Sequence, residues 1–324
     1  MTTLKTLFII TVSASRFIFP GGPASMGLPE GAKQPAVKSL SIEVAANVPA
    51  PTGAKAAVSV PEGLGTASEL SLQIAQSVPK PAANAQPALK LVEYWGSGRE
   101  VGADQPEVTK PTSSSEALPS DLPDKSYAYW PPADSKPLGD EVSVPGRYAL
   151  KTNYCGGATV TLAKQQDFLD PINITSGGEF RLDKPIVIRW KPVPNAAGYL
   201  LKAYGGSADK TITWTSSAKP ELGQGIEYRP VSTSDLEQFI KQGALIPPYV
   251  VSCTIPAGIF AGSDSVMLTM TAVGKDSIQA DNGTETWVIV RSTASMPLHS
   301  SAYRGLKPTG PKNADRDKDE QNNQ

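Results

Sequence analysis

Apolar and polar residues alternate with a period of two along much of the chain, and that period predicts strands. In KSLSIEVAAN (38–47) Leu40, Ile42 and Val44 share one face; GAKAAVSVP (53–61) places Ala56, Val58 and Val60 together; SELSLQIAQ (68–76) does the same with Leu70, Leu72 and Ile74. A fourth run, ALKLVEYWG, ends at Gly96. Alternation resumes in RYALKTNY, ATVTLAKQ and DPINITSGG, then in PIVIRW, where Ile186, Ile188 and Trp190 align, and in GYLLKAY, where Tyr199, Leu201 and Ala203 align. TITWTSS, YVVSCTI, SVMLTMTAVG and ETWVIVRS complete the set. One segment changes period: in STSDLEQFIKQGAL, Leu236, Phe239 and Ile240 form an apolar side at helical spacing. Ser234 and Glu237 are spaced as a capping box, and Gly243 suits the C-terminal cap.

Between the strand runs, Pro and Gly stop the pattern and turn the chain. The expected architecture is all-β: two β-sandwich-like domains of immunoglobulin or fibronectin type III-like form, 38–96 and 138–298, with one short helix inserted in the second. Residues 97–137 read as a Pro-rich linker or excursion, and the nearly apolar-free 299–324 as a disordered tail. The N-terminus has Lys5, an apolar run from Leu7 to Val12 and small residues at Gly22 and Ala24, the layout of a secretory signal peptide over 1–24. Arg16 departs from that layout. Residues 25–37 then read as a flexible lead-in. No later stretch reaches the roughly 18 apolar residues that a membrane-spanning helix needs.

Composition narrows the chemistry. The chain of 324 residues has 30 basic and 31 acidic side chains and a net charge of -1, so no overall field draws it to nucleic acid. The single histidine, His299, falls at the start of the expected tail, which argues against His-dependent nucleophilic catalysis and against zinc enzymes with two or three His ligands. No phosphate-cradling glycine loop is present, and no cofactor or metal is expected. The two cysteines, Cys155 and Cys253, are a candidate disulfide, with a small buried thiol as the other reading of Cys253. Paired carboxylates need no histidine, and Glu93, Glu100 and Asp104 lie near aromatic residues.

Five aromatic residues stand apart from the presumed core: Tyr94 and Trp95 at the end of a strand run, and Tyr127, Tyr129 and Trp130 in a Pro-rich stretch. Such rings can stack on sugars or take a peptide, or can plug a join between domains. They are the candidate ligand-binding residues.

The pattern W-x-P-V-x-x-A-x-G-Y at Trp190 to Tyr199 resembles the B-strand to C-strand corner of fibronectin type III-like sandwiches. LVEYWGSGREVGADQP, YAYWPP, DFLDPINIT with RWKPVPNAAGYLLKAYG, and TWTSS with CTIPAGIF together resemble a family of exported bacterial proteins of unknown function, over most of 38–297. This chain has Ser97 where that family carries Cys. The resemblance implies export to the periplasm, cell surface or medium, and no activity. The expected role is a non-catalytic binding or scaffolding module whose partner is a protein or glycan of the cell envelope. The alternatives are a carboxylate-based hydrolase of envelope glycans and a self-assembling structural subunit.

Overall fold

The computed structural model describes residues 6–19, 35–65, 67–75, 90–109, 122–132, 134–135, 137–177, 180–281 and 283–300. The cleavage region at Gly22 and Ala24, most of the lead-in, 110–121 of the Pro-rich excursion and 301–324 of the tail lie outside the described residues.

Seventeen strands, one α-helix and three short 3-10 helices make up the regular structure of the described residues. The strands are β1 (Thr6–Phe17), β2 (Val37–Ala46), β3 (Ala56–Ser59), β4 (Glu69–Ser71), β5 (Gln73–Ala75), β6 (Lys90–Trp95), β7 (Glu107–Thr109), β8 (Ser126–Trp130) and β9 (Gly146–Thr152). They continue as β10 (Ala158–Leu162), β11 (Ile186–Arg189), β12 (Gly198–Ser207), β13 (Lys210–Thr215), β14 (Ser252–Ile255), β15 (Ser265–Val273), β16 (Ser277–Asp281) and β17 (Thr284–Ser300). The all-β expectation holds. DPINITSGG forms no strand and keeps only a bridge between Ile174 and Trp190.

The main sheet runs β5-β8-β2-β1-β17-β15-β12-β13-β6-β7, with β16 also paired to β17; β10-β9-β3-β4 and β11-β14 form two smaller sheets. Both segments expected to be separate domains contribute to the main sheet: β2 pairs with β1, which pairs with β17, and β6 pairs in parallel with β13. The Pro-rich excursion adds β7 and β8 to the same sheet. The largest of three apolar clusters draws on both segments. It joins Leu40, Ile42 and Val44 of β2 and Val58 of β3 to Leu201 of β12, Trp214 of β13 and Leu268 of β15.

The largest departure from expectation is β1. The apolar run expected to head a signal peptide is an inner strand, antiparallel to β2 and parallel to β17. Its even-numbered residues face the main core, where Phe8, Ile10 and Val12 are fully buried. At its N-terminal end the other face is covered too, because Leu7 packs with Ala45, Trp287 and Ile289 in a separate apolar cluster.

Helix α1 (Thr233–Lys241) lies against the opposite face of the main sheet, where Leu236, Phe239 and Ile240 meet Leu200 of β12 and Val273 of β15. Its cap sits two residues earlier than the spacing predicted: Ser232 Oγ accepts from the Asp235 amide and donates to Asp235 Oδ2. Gly243 takes φ +74 after the last turn, the left-handed conformation that ends a helix. A buried ion pair secures this excursion. Arg291 Nη1 donates to Asp276 Oδ1 at 2.7 Å, and the remaining Arg291 donors reach the Ile226 and Arg229 carbonyls. Asp276 in turn accepts from the Val231 and Val290 amides. Burial pushes the Asp276 carboxyl up from its ordinary range, against the pull of Arg291 and these amides. The turn that presents Asp276 requires Gly274, where an added Cβ would meet Val290 Cγ1 at 2.7 Å.

Candidate functional site

The five candidate aromatics divide by face and by position. Tyr127, Tyr129 and Trp130 lie on β8 near one flank of the main sheet, Tyr94 and Trp95 on β6 near the other, with β2, β1, β17, β15, β12 and β13 between them in pairing order. Alternation turns Trp130 and Tyr94 inward, where both pack against the main core. Tyr127 likewise packs against the apolar cluster of Leu7, Ala45, Trp287 and Ile289, and a single platform of five rings does not form along the sheet.

Tyr127 and Tyr129 share the other face of β8, with ring centroids 5.6 Å apart and an interplanar angle of 20°. β8 was expected to be loop; Ser126 and Ala128, both buried, supply the alternating inner face that makes it a strand. Tyr129 sits opposite Glu43 of β2 in the pairing register. Burial raises the Tyr127 phenol well above its ordinary value, and Glu43, to which it is hydrogen-bonded, raises it further. Ser41 Oγ donates to Glu43 Oε1 at 3.2 Å, so the carboxylate is fixed on two sides. The result is a pair of partly buried rings beside an oriented acceptor, on a regular strand rather than a mobile loop.

On the other flank, Trp95 shares a face with Glu93. The side chain of Gln105 holds the Trp95 backbone, accepting from its amide and donating to its carbonyl, each at 3.0 Å. Glu93 stands opposite Glu107 of β7, and burial followed by that like charge raises its carboxyl above the ordinary range. Glu100 and Asp104 belong to the loop between these strands. Among the described residues no group of His, Cys, Asp and Glu is arranged to hold a metal ion.

Both cysteines are free thiols, so the candidate bridge between Cys155 and Cys253 is not formed. Cys253 is buried in β14 opposite Ile188, and burial raises its thiol to about 11. Its neighbour is Ser97, which hydrogen-bonds the thiol and whose Oγ also accepts from the Thr254 amide at 3.0 Å. Cys155 lies in the turn after β9, bonded through its backbone to Thr152 Oγ1.

His299 was expected in the tail but is part of β17, opposite Val266 of β15. Pro297 reads as a strand terminator, yet the β15–β17 register shifts at Val266/Met267, and an irregularity of this kind tolerates a residue with no amide hydrogen. The alternation of Ala294, Met296 and Leu298, all buried, was the available signal. His299 lines a depression of about 460 Å³ together with Phe180, Arg181, Leu182, Asp183 and Ser263. A serine, a histidine and an aspartate thus meet in one concavity, but not as a catalytic triad. Asp183 is held bidentately by Arg181, at 3.1 and 2.8 Å, and Ser263 Oγ is buried with no hydrogen-bond partner. The serine–histidine hydrogen bond that activates a nucleophile is therefore absent.

Set against known protein families and curated proteins, the chain finds no match in either. No helix among the described residues is long and apolar enough to cross a membrane.

Proposed function

We propose that this protein is a non-catalytic binding module whose partner is a glycan or protein of the cell envelope, and that Tyr127 and Tyr129 form its contact surface. The observation that carries the reading is their paired arrangement on one face of β8, with Glu43 as an adjacent acceptor. Aromatic faces supply stacking area for sugar rings or apolar side chains, and a neighbouring carboxylate adds hydrogen-bond direction. The scaffold that carries this surface is proposed to be fibronectin type III-like around Trp190 and Tyr199. Their rings meet edge-on at 5.3 Å, and Tyr199 Oη accepts from the Val193 amide across the corner.

A glycan and peptide array probed with the full chain and with the Tyr127→Ala/Tyr129→Ala double variant tests the reading. Saturable binding that the double variant loses, while its melting curve stays cooperative, supports it. Binding indifferent to both substitutions refutes the assignment of the surface.

A second reading rests on Glu93 and Glu107. Glu93 and Glu107 stand directly opposite on antiparallel strands, a placement that lets two carboxylates approach each other as in a glycosidase, and Trp95 lies on the same face. Glycan turnover abolished by either Glu93→Gln or Glu107→Gln would replace the binding reading with hydrolysis.

A further inference from the structure

Building on the reading of Tyr127 and Tyr129 as a contact surface, we infer that this pair is one end of a longer surface crossing five strands of the main sheet, and that its partner is an extended protein segment carrying arginine or lysine side chains. The pairing registers align Tyr129 of β8 with Glu43 of β2, Glu43 with Ile9 of β1, Ile9 with Trp287 of β17, and Trp287 with Ile278 of β16. Alternation puts these five residues on the face opposite the main core. Neighbouring strands lie about 4.8 Å apart, so the row is roughly 19 Å long, the span of about six residues of extended chain.

Two carboxylates on this face select a cationic partner. Glu43 is held by neutral donors, the Ser41 hydroxyl and the Tyr127 phenol, and Glu285 Oε1 accepts from the Trp287 indole N–H at 2.5 Å. Neutral donors orient a carboxylate and leave its charge in place. Among the described residues neither Glu43 nor Glu285 has an ion-pair partner, and Lys125, exposed just ahead of β8, is paired with neither. Both carboxylates belong to partly buried residues, where salt screens a charge less than on the open surface. Next to Glu43 lie the rings of Tyr127 and Tyr129, on whose faces a guanidinium or ammonium group can rest. A cation is thus drawn both by the carboxylate and by the rings, whereas a neutral glycan leaves two negative charges unmatched.

Spacing adds a second constraint. Glu285 lies opposite Leu7 of β1, so it stands two strands across from Glu43 and two residues along. At about 4.8 Å per strand and about 3.4 Å per residue, their backbone positions are roughly 12 Å apart, close to the separation of residues four apart in an extended segment. At the far end of the row Ile278 is 44% exposed and belongs to none of the three apolar clusters, which leaves it open to an apolar side chain of the same segment. Regular strands carry every one of these groups, so they are placed before a partner arrives, which lowers the cost of ordering them.

The test is fluorescence anisotropy of a dye-labelled peptide of about seven residues, with two arginines four positions apart and a leucine beyond them, titrated with the full chain. The same peptide with citrulline, the neutral isostere, and with glutamate in place of arginine are the comparators. The expected result is a Kd on the order of 0.1 mM for the arginine peptide, at least about tenfold weaker in about 500 mM than in about 20 mM NaCl, and about tenfold weaker for citrulline. Glu43→Gln and Glu285→Gln should each weaken binding about three- to fivefold, the range of a partly solvated ion pair. Glutamine keeps an acceptor for the Tyr127 and Trp287 donors, and either variant is sufficient if the other fails to fold. Tyr127→Ala/Tyr129→Ala should weaken binding about tenfold. Equal affinity for the arginine and citrulline peptides, tighter binding of the glutamate peptide, indifference to the glutamate variants or to the tyrosine variant, or no response at about 1 mM overturns the proposal. A glycan on the array that binds through the two tyrosines, with no response to the arginine peptide, removes the cationic partner and leaves the tyrosine surface standing, so the two readings fail separately.

Discussion

Removing residues 1–24, as a signal peptidase cutting after Ala24 would do, takes away an inner strand of the main sheet. Four of its side chains, Leu7, Phe8, Ile10 and Val12, are 0% exposed. Burying an aliphatic or phenyl side chain of this size stabilises a fold by about 1.5–3 kcal/mol, so these four together contribute roughly 6–12 kcal/mol. The whole stability of a typical protein is about 5–15 kcal/mol. The truncation also strips backbone partners from β2 and β17 along nearly the full length of β1. The expected outcome is that the shortened chain does not fold cooperatively, and that the protein recovered from its native cells still carries residues 6–17. Ile10→Ala is the graded version: it should cost about 2–5 kcal/mol as a large-to-small core substitution, read by urea unfolding. Intact-mass spectrometry of the native protein together with denaturation of the 25–324 chain settles the matter. A native N-terminus beyond Ala24, joined to an unfolding midpoint equal to that of the full chain, would refute the assignment of β1 to the fold.

Two other perturbations follow from the geometry. Asp276→Ala leaves Arg291 buried and unpaired and should cost about 3–5 kcal/mol. Hydrogen exchange should then rise first in α1 and its flanking loops, while Asp276→Ala with Arg291→Met should recover much of the loss; an additive double variant would contradict the latch. Ser97→Cys places a second thiol beside Cys253 and should form a disulfide under mild oxidation, raising the melting temperature because the bridge constrains a long loop, a stabilisation of up to about 5 kcal/mol in the chain-entropy model. In the parent chain, by contrast, Cys253 should resist alkylation at neutral pH until the protein unfolds, because burial holds its thiol at about 11. An oxidised mass in the parent chain would show a bridge that the structure lacks.

The strand pattern was legible wherever one face met the core and the other met solvent. Leu40, Ile42 and Val44, or Leu268 and Met270, announce β2 and β15 by period alone, and one short helix announced itself by a change of period. What sequence could not supply was pairing order. Nothing in 88–96 reveals that β6 adds in parallel to β13, and the register of distant strands is set by packing rather than by local propensity. The same gap explains the split of the candidate aromatics. Alternation within YAYW separates Tyr127 and Tyr129 from Trp130, although the flanking prolines mask the strand. The prolines on both sides of β8 lie outside the strand, and Pro297 within β17 stands at a bulge, so none of them breaks a ladder.

The N-terminal strand is hidden in the sequence for a different reason. A strand covered on both faces is apolar in consecutive positions, and Leu7 to Ile10 is covered by the main core on one side and by the Trp287 cluster on the other. Its apolar stretch is then as long as the hydrophobic part of a secretory signal, and composition alone does not separate the two. Farther along, alternation becomes visible: Thr11, Ser13 and Ser15 occupy one face while Val12 and Ala14 stay buried on the other. A signal sequence has no use for that periodicity, whereas a strand leaving a two-sided core for a one-sided one requires it. Arg16, the residue at odds with a signal, continues the inward row and donates to the Ile172 carbonyl at 3.4 Å. The charge and the small polar residues that mar the leader pattern are the same features that the sheet uses.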